Sequence, residues 1–377
     1  MTVFRSIALF TLSLCTLTGC AAVSLQSSPL PDGFAVKNLA KVDADGPFAV
    51  SRTGTIAAMS QGTLQVIVPS GGPGRSIAKA PATDLSFSPD GDRLAAAFAT
   101  PTQSLLQLFD LQGKVLAEAL VPGRITALSW RSEKELLATA LQIRKHSFGS
   151  ELISTLFRWD TVAPPVATLL NSVTARPQVA KLPEEILYKS LNFAVSPYGD
   201  EIAYGALKDP PLFTPYLRIT IRHLESGAER LVAETGIGSG GPIYQPDGES
   251  LLVGDRRAMT RRIAIPAGKE TDAWPTAGDR LALSPSGSYL LIDGRLFQGG
   301  REIASFPTTS TAAFLPDGSG IAISHEGTLF LVTGLNDPPA PRLPGDLART
   351  RELRRLLALG LITDKEFKAR KAKAPAP

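Results

Sequence analysis

Short apolar runs separated by polar turns fill residues 33–340, and one unit returns throughout: an apolar strand, a turn of Pro, Asp and Gly, then a second apolar strand. The fullest copy predicts strands over 85–87, 93–98, 105–110 and 115–120, the last two joined at Gln112 and Gly113. Its first turn is Ser88, Pro89, Asp90, Gly91. The same turn recurs as Ser196, Pro197, Tyr198, Gly199; as Gln245, Pro246, Asp247, Gly248; as Ser284, Pro285, Ser286, Gly287; and as Leu315, Pro316, Asp317, Gly318. Two weaker copies stand at Ser51 to Gly54 and at Trp130 to Glu133. From Gly54 to Gly318 six steps cover 264 positions, a mean of 44. That period lies in the range of about 40–50 residues that four-stranded radial repeats require.

The turn composition has a physical cause. Pro presets φ at the first corner, Asp accepts nearby backbone N–H groups, and Gly takes the left-handed conformation that reverses the chain. Four strands per unit and seven units predict an all-β fold, a β-propeller with seven blades favoured and six or eight left open. A strand near residues 34–39 is expected to complete the last blade, because the chain after Val332 offers no fourth strand before its prolines. Such closure removes the two free sheet edges of an open ring. The Ser-Pro-Asp-Gly turn after Leu85, Ser86, Phe87 and before Arg93 to Ala97 resembles the WD-like repeats of TolB-type β-propellers, over about 300 residues. The resemblance implies the fold; propellers of this kind serve as scaffolds, as gates on peptidases and in some cases as enzymes.

One step is too long. Glu133 to Gly199 exceeds the mean by about 20 residues, and the surplus is expected between Asp160 and Ser190, where Pro164, Pro165, Pro177 and Pro183 fall. A long loop or an extra edge element leaving the ring there is either decoration or a partner-binding lobe.

The N-terminus carries an address. Arg5 precedes an apolar run over 7–17, the length of a signal-peptide core and too short to span a bilayer. The run ends in Leu17, Thr18, Gly19, Cys20, which resembles the lipobox of bacterial lipoproteins. The resemblance implies a signal peptide over 1–19, removed as Cys20 is acylated, and Ala21 after it resembles the outer-membrane type. Residues 20–32, rich in Ser and Pro, read as a flexible tether. Cys15 would leave with the signal, so Cys20 would be the one mature cysteine and no intrachain disulfide would form.

Beyond Pro344 the pattern becomes helical. Leu347, Leu353, Leu356 and Leu357 approach a helical period up to Gly360, and Thr363 to Glu366 forms a capping box flanked by Ile362 and Phe367. Residues 346–373 resemble the short C-terminal (SHOCT) domain of bacterial envelope proteins, although the leucines usual at its end are replaced by Ala374, Pro375, Ala376 and Pro377. The resemblance implies an α-helical hairpin that mediates docking or self-association through Leu353, Leu357, Ile362 and Phe367.

Charge sharpens this division. Residues 342–377 hold ten Lys or Arg and four Asp or Glu, while residues 20–341 hold 28 and 31. The basic character therefore comes from the tail, as a solvated helix face or as an attraction to anionic lipid or an acidic partner; nucleic acid is excluded by export. Catalytic motifs are poor. Gly236, Gly238 and Gly241 precede a strand rather than a helix, Asp43 and Asp45 lack further ligands at loop spacing, and His146, His223 and His325 fall in different blades. No cofactor, metal or catalytic residue is expected. The expected function is a lipid-anchored propeller at the periplasmic face of the outer membrane, binding an envelope protein as scaffold or assembly factor. The alternative is a propeller hydrolase or ligand sensor with an acidic axial site.

Overall fold

A computed structural model describes residue 25, residues 30–338 except 45, 70–73, 148, 176–182, 209–214, 239, 256–258, 266, 277 and 308–310, and near the C-terminus residues 353, 356, 362, 363, 365, 366, 368 and 369. Strand β1 (Ala35–Lys41) precedes the first blade. Blade 1 is β2 (Phe48–Val50), β3 (Ile56–Ser60), β4 (Thr63–Ile67) and β5 (Arg75–Ala78). Blade 2 is β6 (Ala82–Phe87), β7 (Arg93–Ala99), β8 (Gln103–Asp110) and β9 (Val115–Pro122). Blade 3 is β10 (Arg124–Ser132), β11 (Glu135–His146), β12 (Gly149–Asp160) and β13 (Val166–Ala175). After helix α1 (Glu184–Ser190), blade 4 is β14 (Phe193–Val195), β15 (Glu201–Lys208), β16 (Tyr216–His223) and β17 (Glu229–Gly236). Blade 5 is β18 (Ile243–Tyr244), β19 (Ser250–Gly254), β20 (Thr260–Ala264) and β21 (Glu270–Trp274). Blade 6 is β22 (Leu281–Leu283), β23 (Tyr289–Ile292), β24 (Arg295–Gln298) and β25 (Arg301–Ser305). Blade 7 is β26 (Thr311–Phe314), β27 (Gly320–His325) and β28 (Thr328–Thr333), completed by β1. The chain is thus a seven-bladed all-β propeller, and the expected closing strand pairs antiparallel to β28 from Ala35–Thr333 to Lys41–Thr328.

Each sheet has apolar residues on both faces, so a blade is stable only between two others. Among the described residues the buried apolar side chains form eight clusters. Seven lie in the seams between successive blades, such as Leu106, Leu108, Leu136 and Trp159 between blades 2 and 3. The second strands are covered on both sides, which explains why β7 reads Leu94, Ala95, Ala96, Ala97, Phe98 without alternation and why all five are buried. Every outer strand carries a bulge against its neighbour. The extra residue at five of them, Leu39, Ile77, Leu170, Val232 and Ile303, packs against a seam core.

The surplus in blade 3 is distributed differently from the expectation. Part of it lies before Asp160: β11 and β12 are 12 residues each and run past the start of β10, whose first partner is Leu141. The rest is β13 and α1. Leu141, Leu152, Leu187, Leu191, Leu207 and Leu217 form the eighth cluster, tying the extension and α1 to blade 4. The alternation Leu141, Gln142, Ile143, Arg144 simply prolongs the strand, so no loop signal marks the extension.

Two residues near the N-terminus are packed as well. Leu25, 2% exposed, sits in the seam of blades 6 and 7 with Tyr289, Phe314 and Leu335, and Leu30 packs beside it. Leu25 and Leu30, which fall inside the expected tether of 20–32, are therefore held against the ring. Among the described residues no helix is long and apolar enough to cross a membrane. Leu353 and Ile362 are buried, and Thr363 and Glu366 cap reciprocally, Thr363 N–H donating to Glu366 Oε2 at 2.8 Å and Glu366 N–H to Thr363 Oγ1 at 3.3 Å. Cys20, Leu357 and Phe367 lie outside the described residues.

Candidate functional site: the axial mouth and the outer rim

Strands alternate in direction within a blade, so the two ring faces differ. All the Pro-Asp-Gly turns join first to second strands and share one face, the turn face; the inner strands begin on the other, the mouth face. On the turn face Gly91 N–H donates to Ser88 O at 2.8 Å and Gly199 N–H to Ser196 O at 2.9 Å, with φ of 84° and 69°. Pro89 and Pro197 hold the preceding corners, and Asp90 Oδ1 accepts Asp92 N–H at 3.1 Å. The turns at Pro246, Asp247, Gly248, at Pro285, Gly287 and at Pro316, Asp317, Gly318 close on Gln245 O, Ser284 O and Leu315 O at 2.8, 2.9 and 2.9 Å. These residues build the ring, and one turn also joins blades: Tyr198 Oη donates to Asp247 O at 2.9 Å.

The mouth face carries the axial opening. A cavity of about 280 Å³ is lined by the starts of inner strands from blades 4 to 7, including Asn192, Gly241, Asp279, Arg280 and Thr311. Asn192, Gly241, Arg280 and Thr311 each stand four residues before the corner residue of their turn, Ser196, Gln245, Ser284 and Leu315. Blade 2 has Asp84 at the same position. Its Oδ2 accepts Leu128 N–H at 2.6 Å, bridging two inner strands whose edges have no further strand partner. Burial pushes the Asp84 carboxyl from its ordinary 3.8 up to about 7, against the opposing pull of the Leu85 and Leu128 N–H groups. Burial likewise raises Asp293, whose Oδ1 accepts Arg280 N–H at 2.8 Å.

Asp84 gives a pH signature. The folded state holds its proton more tightly than the unfolded chain, so its contribution to stability is full below about pH 4 and is lost as pH rises through about 7. The Asp84→Asn variant is expected to lack that decline, its Tm gaining on the parent's from pH 4 to pH 8. Parallel Tm curves over that window would contradict the assignment.

The candidate catalytic groups do not assemble. His146 and His325 end second strands at the mouth face, whereas His223 ends a third strand at the turn face. Asp43 is used by a turn, its oxygens accepting Gln61 and Gly62 N–H at 2.7 and 3.1 Å. Gly236, Gly238 and Gly241 do lie before a strand, β18, with Gly238 N–H donating to Ser190 Oγ at 2.7 Å. Among the described residues no three His, Cys, Asp or Glu stand close enough to hold a metal ion.

The rim is a different surface. Among the described residues the exposed large apolar side chains are Val68 and, on three consecutive blades, Val115, Leu116 and Leu120 of β9, Val162, Val166 and Leu169 on and before β13, and Leu231 of β17. Nothing in their local sequence distinguishes these from core positions; only the ring order, which puts fourth strands outside, does so. Beside them, Arg131 and Arg158 pair with Glu135 and with Glu225, at 2.8 Å for Arg131 and Glu225, joining blades 3 and 4. The two guanidiniums hold the Glu225 carboxyl below its usual range.

No protein-family model matches the chain, and no curated protein matches it in sequence. Solved structures do resemble it. A chain in the crystal structure of a mitotic checkpoint complex is 13% identical, with 89% of this chain and 100% of that chain covered and a TM-score of 0.58. The β-propeller domain of Cps50 (Swd1) from Myceliophteria thermophila is 17% identical, with 80% and 99% covered and a TM-score of 0.54. The likeness agrees with the seven four-stranded sheets and defines the class of fold: a seven-bladed β-propeller.

Proposed function

We propose that the chain is an exported propeller, anchored by acyl groups on Cys20 to the periplasmic face of the outer membrane, which binds another envelope protein through the rim of blades 2 to 4. The observation that carries this reading is that, among the described residues, the exposed large apolar side chains other than Val68 all fall on those three blades. Exposed apolar side chains gathered on neighbouring blades are the kind of surface that protein interfaces cover. The lipobox supports the address, and the basic C-terminal segment with Leu353 and Ile362 provides a second contact or a self-association element. The mechanism is rigid display: the anchor confines the ring to a surface and raises the effective concentration of rim and partner. A neighbour of the same fold occurs in a mitotic checkpoint complex, in keeping with propellers serving as partner surfaces. The alternative acidic axial site is less well supported, because Asp84 and Asp293 both accept backbone N–H groups.

Crosslinking in intact cells tests the reading, with mass spectrometry of the mature N-terminus alongside. An acylated Cys20 is expected as the first residue. Replacing Cys20 by Ala should release the protein from the membrane and lower partner capture. Leu116→Lys with Leu120→Lys should lose the partner while staying at the membrane, and deleting 346–377 should weaken capture. An unmodified terminus, or capture unchanged by every variant, would overturn the proposal.

A further inference from the structure

We propose that β13 pairs antiparallel with β13 of a second copy of this chain across a two-fold axis; the inference deepens the rim reading and rests on it. The seven outer strands supply the comparison. All carry a bulge, a device that discourages edge pairing. Six also carry charge: Lys37 and Lys41 on β1, Arg75 on β5, Glu118 on β9, Glu229, Arg230 and Glu234 on β17, Glu270 and Asp272 on β21, Arg301 and Glu302 on β25. Strand β13 reads Val-Ala-Thr-Leu-Leu-Asn-Ser-Val-Thr-Ala, ten residues without a charge, a Pro or a Gly. It is also the longest outer strand.

Its free edge is open to a partner strand. Among the described residues β13 has β12 as its one strand neighbour, and the one further bond to its backbone is Tyr204 Oη donating to Leu170 O, 3.5 Å, at the bulge. Val166 and Leu169 are 64% and 58% exposed. Protection that six blades have and one lacks marks that one as an interface.

Charge selects the occupant. Every other outer strand of this chain carries at least one Lys, Arg, Asp or Glu, and β13 offers no counter-charge to a group that would lose water against it. Set against its own copy it meets no charge, and a two-fold contact closes on itself instead of growing into a filament. A stable interface takes about 20–30 residues a side, so β13 alone is too small. Val162, 91% exposed just before it in the chain, and Leu116 and Leu120, exposed on the outer strand of the preceding blade, are the further apolar residues such an interface could use.

Sedimentation velocity on the full mature chain in detergent, over a hundredfold concentration range, tests this. The parent chain is expected to shift from monomer to dimer. Leu169→Lys, and separately Ser172→Lys, should weaken dimerisation at least tenfold with unchanged circular dichroism. Thr271→Lys on β21 should leave it intact, and so should deletion of 346–377. A parent that stays monomeric, or either lysine variant dimerising as the parent does, would overturn the pairing. The two readings separate cleanly: a monomeric parent that still loses its crosslinked envelope partner on Leu169→Lys overturns self-pairing and leaves the rim reading standing.

Discussion

Deleting residues 33–41 is expected to open the ring and lower Tm by about 6–7 °C, the effect of losing about 5 kcal/mol at about 2.1 cal/mol/K per residue in a chain of this size. The deletion removes β1, the strand that completes blade 7 from outside its own segment. It leaves β28 with an unpaired edge, and it strips Phe34, Val36, Leu39 and Ala40 from two seam cores. Large-to-small changes at buried sites cost about 2–5 kcal/mol each, so even partly buried residues together reach the stated loss. The blades on either side then lose their cover, and the damage spreads round the ring. A synthetic peptide of residues 30–42 added in excess should restore part of the lost Tm by mass action. Melting of the deletion variant at the parent's Tm, with or without peptide, would show that closure does not hold the ring.

Trp130→Ala is expected to cost about 3–5 kcal/mol, the largest loss from any single substitution considered. Trp130 lies near the end of β10, in one of the two copies that lack the Pro-Asp-Gly turn, and it is 9% exposed in the seam of blades 2 and 3. Its Nε1 donates to Ser86 O at 3.2 Å, and the Arg93 guanidinium stands 5.2 Å from its ring centre. One side chain therefore supplies apolar area, a bond to the neighbouring blade and a cation–π contact. Trp130→Phe keeps most of the area and abandons Ser86 O, for about 1–2 kcal/mol. Urea unfolding of both variants separates the terms; equal midpoints for Phe and Ala would assign the whole effect to the hydrogen bond.

The turns made the ring legible. Ser88 to Gly91 and its copies mark one corner per blade, and their period yields the blade count, because the local chemistry of a turn needs no knowledge of what packs nearby. The closing strand followed from counting: after Val332 one strand was missing, and residues 34–39 were unassigned. Blade 3 was harder. The prolines after Asp160 drew attention, while the extension of β11 and β12 continues an ordinary alternation and carries no local mark. The axial and rim residues were not legible at all. Asp84 reads as a strand carboxylate until closure sets Leu128 N–H against it, and Leu116, Leu120 and Leu169 read as core until fourth strands are seen to lie outside. The missing charge on β13 was present in the sequence; its meaning required knowing which six strands to compare it with.

The central claim is that the outer strands of blades 2 to 4 form the contact surface. Photocrosslinking in intact cells, with a photoreactive residue placed in turn at Leu120, Leu169, Thr271 and Asp317, addresses it directly. Protein adducts from positions 120 and 169, with none from Thr271 on blade 5 or Asp317 on the turn face, are the predicted result. Adducts confined to positions 271 or 317 would contradict it.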